Sequence, residues 1–199
     1  FGFKGGTALF FFYALDRFSI DLDFDWIGDD GDFDISLIDS VVEKNLKILD
    51  KQRKRYTLFW LGSYEKGSQK VKLEINLRKF PNQYEIKDFR GYSTWVMKAE
   101  YMLAHKLCAV LDRKSLQNRD LYDVWFMLEK DFSINEEIVK LRTGKDLKIY
   151  LGDLLKLASG LPDDYDILNG VGEVLDSKKK IWVKNNLLDE LRAQLASRV

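Results

Sequence analysis

Asp21, Asp23 and Asp25 alternate with Ile20, Leu22, Phe24 and Trp26 in the segment Ser19-Ile20-Asp21-Leu22-Asp23-Phe24-Asp25-Trp26. Successive side chains of an extended strand point to opposite sides, so the spacing predicts a strand over 19–27 with one apolar face and one acidic face. Like charges that close disfavour one another unless a cation lies between them. Carboxylate oxygens are the hard donors that divalent cations such as Mg²⁺ take. Upstream, Lys4-Gly5-Gly6-Thr7 opens an apolar run that reads as a helix from Thr7 to about Arg17. A glycine turn lets the backbone approach a bulky anion, and the first amides of a helix point at it. Glycine turn and acidic strand together are the parts of a site for a metal-bound triphosphate. Taken separately, the first also reads as an ordinary strand-to-helix turn and the second as a solvated sheet edge.

A second strand strengthens the pairing. In Val71-Lys72-Leu73-Glu74-Ile75-Asn76-Leu77-Arg78 the apolar residues again alternate with polar ones. If this strand neighbours the first, Glu74 reaches the Asp21 and Asp23 carboxylates. Three carboxylates suffice for two divalent ions, the apparatus of in-line phosphoryl or nucleotidyl transfer. Asp25 lies at the far end of the acidic face and reads as a supporting residue.

These residues must be positioned by two kinds of architecture. Residues 1–95 read as mixed helix and strand, with a turn at 28–32. A helix begins at Asp39-Ser40, where Ser40 and Glu43 have capping-box spacing, and ends in the cationic run Lys51-Gln52-Arg53-Lys54-Arg55. Strands follow at 56–61 and 70–78, joined through 62–68. From about Thr94 the periodicity turns helical, with segments at 97–111, 120–128, 146–158, 165–175 and 181–198. Ser133 and Glu136 form another capping-box pattern, and Gly144 is a C-terminal stop. The fold class expected is α+β: an N-terminal mixed β-sheet core over residues 1–95 and a C-terminal helical bundle domain over 96–199.

The order glycine-glycine-Thr7, helix, Asp21-x-Asp23 and a later strand acid resembles the DNA polymerase beta-type nucleotidyltransferase superfamily. More narrowly, Lys4-Gly5-Gly6-Thr7-Ala8-Leu9 with Arg17-Phe18-Ser19-Ile20-Asp21-Leu22-Asp23-Phe24 resembles the AbiEii-type toxin family. In the C-terminal half, Ala104-His105-Lys106-Leu107-Cys108-Ala109-Val110-Leu111, Arg113 and Arg119-Asp120-Leu121-Tyr122-Asp123-Val124 resemble its lysine and arginine-aspartate helices. The resemblance implies that Gly5, Gly6 and Thr7 hold the triphosphate, and that Asp21 and Asp23 bind the metals, with Glu74 as the third carboxylate. It further implies that Lys106, with Arg113, contacts nucleotide phosphates and that Asp120 belongs to the active cleft. Glutamate replaces the aspartate common at the third position of the wider superfamily. Helical spacing places Lys106 and Arg113 on one face, and Asp120 and Asp123 on another, so that the two helices could wall a nucleotide. Without the resemblance, Arg119 and Asp123 read as a surface i,i+4 pair.

The bulk composition bounds the alternatives. At 199 residues the chain can bury a real core. Lys+Arg and Asp+Glu both total 32, which excludes a uniformly basic nucleic-acid coat and leaves local patches. His105 is the sole histidine, which excludes a multi-histidine zinc site. Cys108 is the sole cysteine and reads as a core thiol, consistent with a cytoplasmic setting. No apolar run is long enough to span a bilayer and no secretory signal is visible. The chain opens on Phe1-Gly2-Phe3, which reads as the end of a strand whose preceding segment is missing. Phe10, Phe11, Phe12, Trp60, Trp95 and Trp125 read as core.

The expected reaction is transfer of a nucleoside monophosphate from an NTP, assisted by two Mg²⁺, with pyrophosphate released. The resemblance suggests RNA, in particular a tRNA 3′ end, as acceptor, and a neighbouring antitoxin as partner. A small molecule or protein acceptor, and a non-catalytic nucleotide-binding module, are the competing readings.

Overall fold

The computed structural model describes residues 1–29, 34–65 and 69–199. Parts of the turn expected at 28–32 and of the connection expected at 62–68 lie outside them. The chain divides into two compact units: Phe1–Ala14 with Ser19–Met97, and Leu15–Phe18 with Lys98–Val199. The architecture is α+β.

The first unit is built on β1 (Gly2–Lys4), β2 (Leu22–Asp25), β3 (Lys47–Arg53), β4 (Thr57–Ser63), β5 (Lys70–Asn76), β6 (Tyr84–Phe89) and β7 (Tyr92–Met97), with helices α1 (Gly5–Phe12) and α2 (Ile35–Asn45). Its mixed sheet runs β3-β4-β5-β2-β1-β7-β6. The pairs β2–β5 and β1–β7 are parallel and the other neighbours antiparallel. Alternation along the strands sends Leu58, Trp60 and Ile75 into one buried cluster, closed by Val42 of α2 and flanked by Phe24 and Trp26. The opposite side of β2 and β5 is left to the polar residues.

Several local expectations are corrected. The helix expected to reach Arg17 ends at Phe12, because Ala14 takes a left-handed conformation (φ 57°) that α-helix cannot continue. The acidic strand is shorter than 19–27: the Thr7 hydroxyl donates to the Asp21 carbonyl at 2.5 Å, and β2 begins one residue later. The second helix starts at Ile35, capped by Asp34, which accepts from the Ser36 amide at 2.8 Å. Asp39 is inside that helix and accepts from Trp60 Nε1 at 2.9 Å. The run from Lys51 ends no helix; Lys51, Gln52 and Arg53 lie on the edge strand β3, paired with β4.

The hairpin β6–β7 has no counterpart in the sequence periodicity, which turns helical from Thr94. Its two-residue turn is Arg90-Gly91, both at positive φ (53° and 87°), the backbone of a type I′ turn. Arginine there carries no conventional hairpin signal.

The second unit holds α3 (Ala99–Asp112), α4 (Asn118–Glu129), α5 (Glu136–Thr143), α6 (Leu147–Ser159) and α7 (Ser177–Ala196). On α7 the buried residues are Val183, Leu187, Leu191 and Leu195, a stripe at every fourth position. α4 is buried nearly all round, from Leu121 to Leu128, and packs against α3 and α7. Asn135, not Ser133, caps α5, accepting from the Ile138 amide, and Gly144 ends it at φ 72°. The segment expected to be helical at 165–175 is a series of turns closed by one turn of 3-10 helix at Gly172–Val174. Ile167, Val171 and Leu175 are buried at helical spacing, but Asn118 Nδ2 takes the carbonyls of Asp166 and Asn169 and Gly170 is at φ 72°. Those carbonyls are thereby withdrawn from an i,i+4 ladder.

Candidate active site

The glycine turn and the acidic strand are joined through Lys4, Gly5 and Thr7. Lys4, at the end of β1, is the antiparallel partner of Asp23, and the chain turns directly from Lys4 into α1 at Gly5. Gly5 has φ 78°, and a Cβ built on it would run into the Asp23 carboxylate. Only glycine meets both demands. Thr7 Oγ1, buried in the first turn of α1, bonds Ser19 Oγ at 3.0 Å as well as the Asp21 carbonyl, so the helix start is tied to the residues just before β2.

On the other side of β2 the parallel register sets Asp23 opposite Glu74 and Asp25 opposite Asn76. Paired residues share a sheet face, so Asp23 and Glu74 are neighbours on the side away from the Trp60 cluster. Lys72 is on that face too, with Nζ 3.5 Å from Asp21 Oδ2. This pair is half exposed and contributes little to stability. Asp21 and Asp23 are thus both brought to Glu74's face, Asp23 held against Gly5 and Asp21 towards Lys72. Among the described residues no three Asp, Glu, His or Cys side chains gather closely enough to hold a metal ion.

Asp25 has a different role from its two neighbours. It is 2% exposed, and its carboxylate accepts from Lys4 Nζ (2.5 Å), Asn76 Nδ2 (2.7 Å), Asn82 Nδ2 (3.2 Å) and Tyr84 Oη (2.7 Å). Burial works to raise its pKa, but the Lys4 charge and these hydrogen bonds outweigh it and hold the pKa below the usual value. Gly2 makes room for the Tyr84 ring, which a Cβ would overlap. Tyr84 and Asn82 carry no signal in the sequence because only tertiary folding brings them, 59 and 57 positions on, to Asp25.

Lys106, Arg113 and Asp120 form a cluster within the second unit. Lys106 Nζ lies 3.1 Å from Asp120 Oδ1 and 2.7 Å from Asp123 Oδ2. Asp123, fully buried, also takes a two-point contact from Arg17, Nε at 2.6 Å and Nη2 at 2.7 Å. Arg113 Nε sits 2.8 Å from Asp120 Oδ2, off the direction of a hydrogen bond, and that buried oxygen has no hydrogen-bond partner among the described residues. Burial alone would lower the Lys106 pKa, yet Asp123 and Asp120 raise it. Burial would raise that of Asp123, yet Lys106 and Arg17 lower it. Both therefore stay charged at neutral pH. Asp123 belongs to this buried network and not to the surface i,i+4 pair with Arg119 that the helix spacing alone suggests. Arg17 is the residue that sequence reasoning leaves without a role, although it stands in the motif next to Phe18-Ser19.

With this geometry in place, a family comparison decides the affiliation. The model of the family "Nucleotidyl transferase AbiEii toxin, Type IV TA system" matches residues 1–193. The chain belongs to this family. Solved structures agree on the fold. JHP933 from Helicobacter pylori is 25% identical to this AbiEii-family chain with a TM-score of 0.64, covering 99% of this chain and 82% of its own. A second H. pylori structure, provisionally assigned as a nucleotidyltransferase, is 26% identical with a TM-score of 0.60, covering 99% and 85%. An antigenic nucleotidyltransferase-like protein from Paracoccidioides brasiliensis, 12% identical, shares the fold with a TM-score of 0.54 over 89% of this chain and 86% of that one. A comparison with curated proteins finds no match. No helix among the described residues is long and apolar enough to cross a membrane.

Proposed function

We propose that this AbiEii-family chain moves a nucleoside monophosphate from an NTP to an RNA acceptor, a tRNA 3′ end foremost, and releases pyrophosphate. It does so as the toxin of a type IV system whose antitoxin is encoded nearby, in the cytoplasm. The observation that carries the reading is the junction of Gly5 and Asp23: the start of α1 and the central acidic strand meet where only glycine fits. Backbone amides of Gly6 and Thr7 at that helix start bind phosphate oxygens. The donor set Asp21, Asp23 and Glu74 is all carboxylate, which suits Mg²⁺, and the missing side chain at Gly5 lets the Asp23 carboxylate lie directly against the helix start. The three carboxylates share a face without forming a preformed three-ligand cluster. Mg²⁺ carried in with the triphosphate and met by Asp21, Asp23 and Glu74 would supply charge neutralisation at the phosphates and acidify the acceptor hydroxyl. Glu74, beside Asp23, receives the acceptor's proton.

An RNA acceptor is supported by the exposed edge strand β3 with its cations, and by Tyr56, whose ring is flanked by Arg55 at 4.9 Å and Arg78 at 5.0 Å. Cation-flanked aromatics suit a nucleic-acid backbone and base. Lys106, Arg113 and Asp120 carry the family motif in the second unit, and variants of them test a part in nucleotide contact.

Incubation of the chain with each labelled NTP, Mg²⁺ and total RNA tests the proposal beside the Asp21→Ala/Asp23→Ala variant. Label entering RNA with the wild type alone supports it. Label entering a small molecule or protein instead replaces the acceptor, and no transfer to any acceptor overturns the reading.

A further inference from the structure

β2 ends at Asp25, and the first unit opens there into a cavity of about 360 Å³, within the range of small-ligand sites. Trp26, Phe80, Tyr84 and Trp95 give it aromatic faces, beside Ile27. Trp95 is 47% exposed, contrary to its expected place in the core, and a large indole left open beside a cavity is a surface for a flat ring to stack on. The floor is polar. Asp25 is saturated by its four partners, so it is no ligand group; it fixes Asn82 and Tyr84, whose amide and phenol it holds at the cavity. Arg78 and Lys79 add cations at the lining, Lys79 Nζ lying 5.9 Å from the centre of the Trp26 ring.

We infer that this cavity takes a nucleoside, its base against the aromatic walls and its polar edge towards Asn82 and Tyr84. Aromatic faces with a few fixed polar groups and a nearby cation match the chemistry of a nucleobase on ribose phosphate. Asp25 lies two residues beyond Asp23 on the same strand face, about 7 Å along, so a nucleotide with its phosphate at Asp23 has its base within reach. This last step rests on the nucleotidyl-transfer reading. The nucleoside is either that of the incoming NTP or the terminal one of the acceptor RNA.

Calorimetric titration of the whole chain with adenosine, guanosine, cytidine and uridine, and separately with tripolyphosphate, tests the pocket without turnover. At least one nucleoside should bind wild type and Asp23→Asn alike, and bind Trp95→Ala about tenfold more weakly. Trp95→Phe should restore most of the affinity, and tripolyphosphate binding should not change. No nucleoside binding at millimolar concentration, or equal binding by Trp95→Ala in its folded form, overturns the inference. In turnover, a raised KM of Trp95→Ala for NTP identifies the incoming nucleotide and a raised KM for RNA the acceptor; neither rising overturns the inference. A wild type that transfers nothing would sink the proposed reaction, while the nucleoside titration would still decide the pocket.

Discussion

Gly5 and Asp23 occupy one another's space: the backbone of the first lies where any side chain would meet the carboxylate of the second. Strand β1, helix α1 and strand β2 are thereby locked at one point, with Glu74 adjacent in register. Substitutions at this junction and at the two buried charge clusters should separate its chemical part from its structural one.

Gly5→Ala should lose nucleotide binding and destabilise the first unit. The positive φ alone costs a β-carbon about 1 kcal/mol, and displacement of Asp23 adds to it. Gly91→Ala is the matched control, since Gly91 has φ 87° and an added methyl there would meet nothing within 4 Å. It should show the strain without the loss of binding. Thermal unfolding and NTP titration of both variants decide this.

Asp23→Asn and Glu74→Gln should each lower transfer by about 100-fold or more, the scale seen when a preorganised electrostatic partner is removed. Neither should lower stability by more than about 0.5 kcal/mol, because neither side chain is buried in the Trp60 cluster. Initial rates in Mg²⁺ and denaturant midpoints provide the two readouts. A variant that fails to fold would contradict the assignment of these carboxylates to the open face.

Lys4→Met should destabilise the protein at neutral pH by about 3 kcal/mol, since it strands the buried Asp25 carboxylate. Without the lysine, burial dominates and the Asp25 pKa rises. The penalty should therefore shrink as pH falls through that raised value towards the unfolded carboxylate value of about 3.9, because the folded variant takes up the proton first. Lys4→Met/Asp25→Asn should be more stable than Lys4→Met alone. Melting temperatures from pH 3 to pH 8 check the sign.

Lys106→Met should also destabilise by about 3 kcal/mol, leaving Asp120 and Asp123 with fewer cations in a dry site. Arg119→Ala should be nearly neutral, because Asp123 is held by Arg17 and Lys106. The Asp123 pKa is depressed in the folded state, so its contribution is present above the unfolded carboxylate value of about 3.9 and is lost as pH falls through the folded value. Lys106 is raised, so its contribution is lost only on the alkaline side. Wild-type stability should be flat near neutrality and fall in acid. In Asp123→Asn the acid limb should be shallower.

Much of the geometry of the candidate site was legible from residue order. The alternation of Asp21, Asp23 and Asp25 with apolar residues fixed which side chains share a face, because a strand has a period of two whatever surrounds it. The same rule put Glu74 on the polar face of its strand, and the glycine pair marked a turn that other residues cannot make. Helix ends were less legible. Ser40 and Ser133 have capping spacing, yet Asp34 and Asn135 do the capping, since a spacing does not say which of several nearby oxygens meets the free amides. The turns and the short 3-10 helix at 165–175 imitate an α-helix because burial every fourth residue also suits a chain laid over an apolar surface.

What the sequence by itself determined, then, is local and periodic: the acidic face, the glycine turn, the amphipathic helices and the family motifs that run through them. Tertiary structure alone decided which of those pieces are neighbours. Parallel pairing of β2 with β5 set Asp23 beside Glu74, and convergence of four side chains on Asp25 removed it from the acid set and made it a buried anchor for Tyr84 and Asn82. Packing likewise sent Arg17 to Asp123, 106 positions away. Such contacts depend on desolvation and on the register of distant strands, quantities that no short stretch of residues contains.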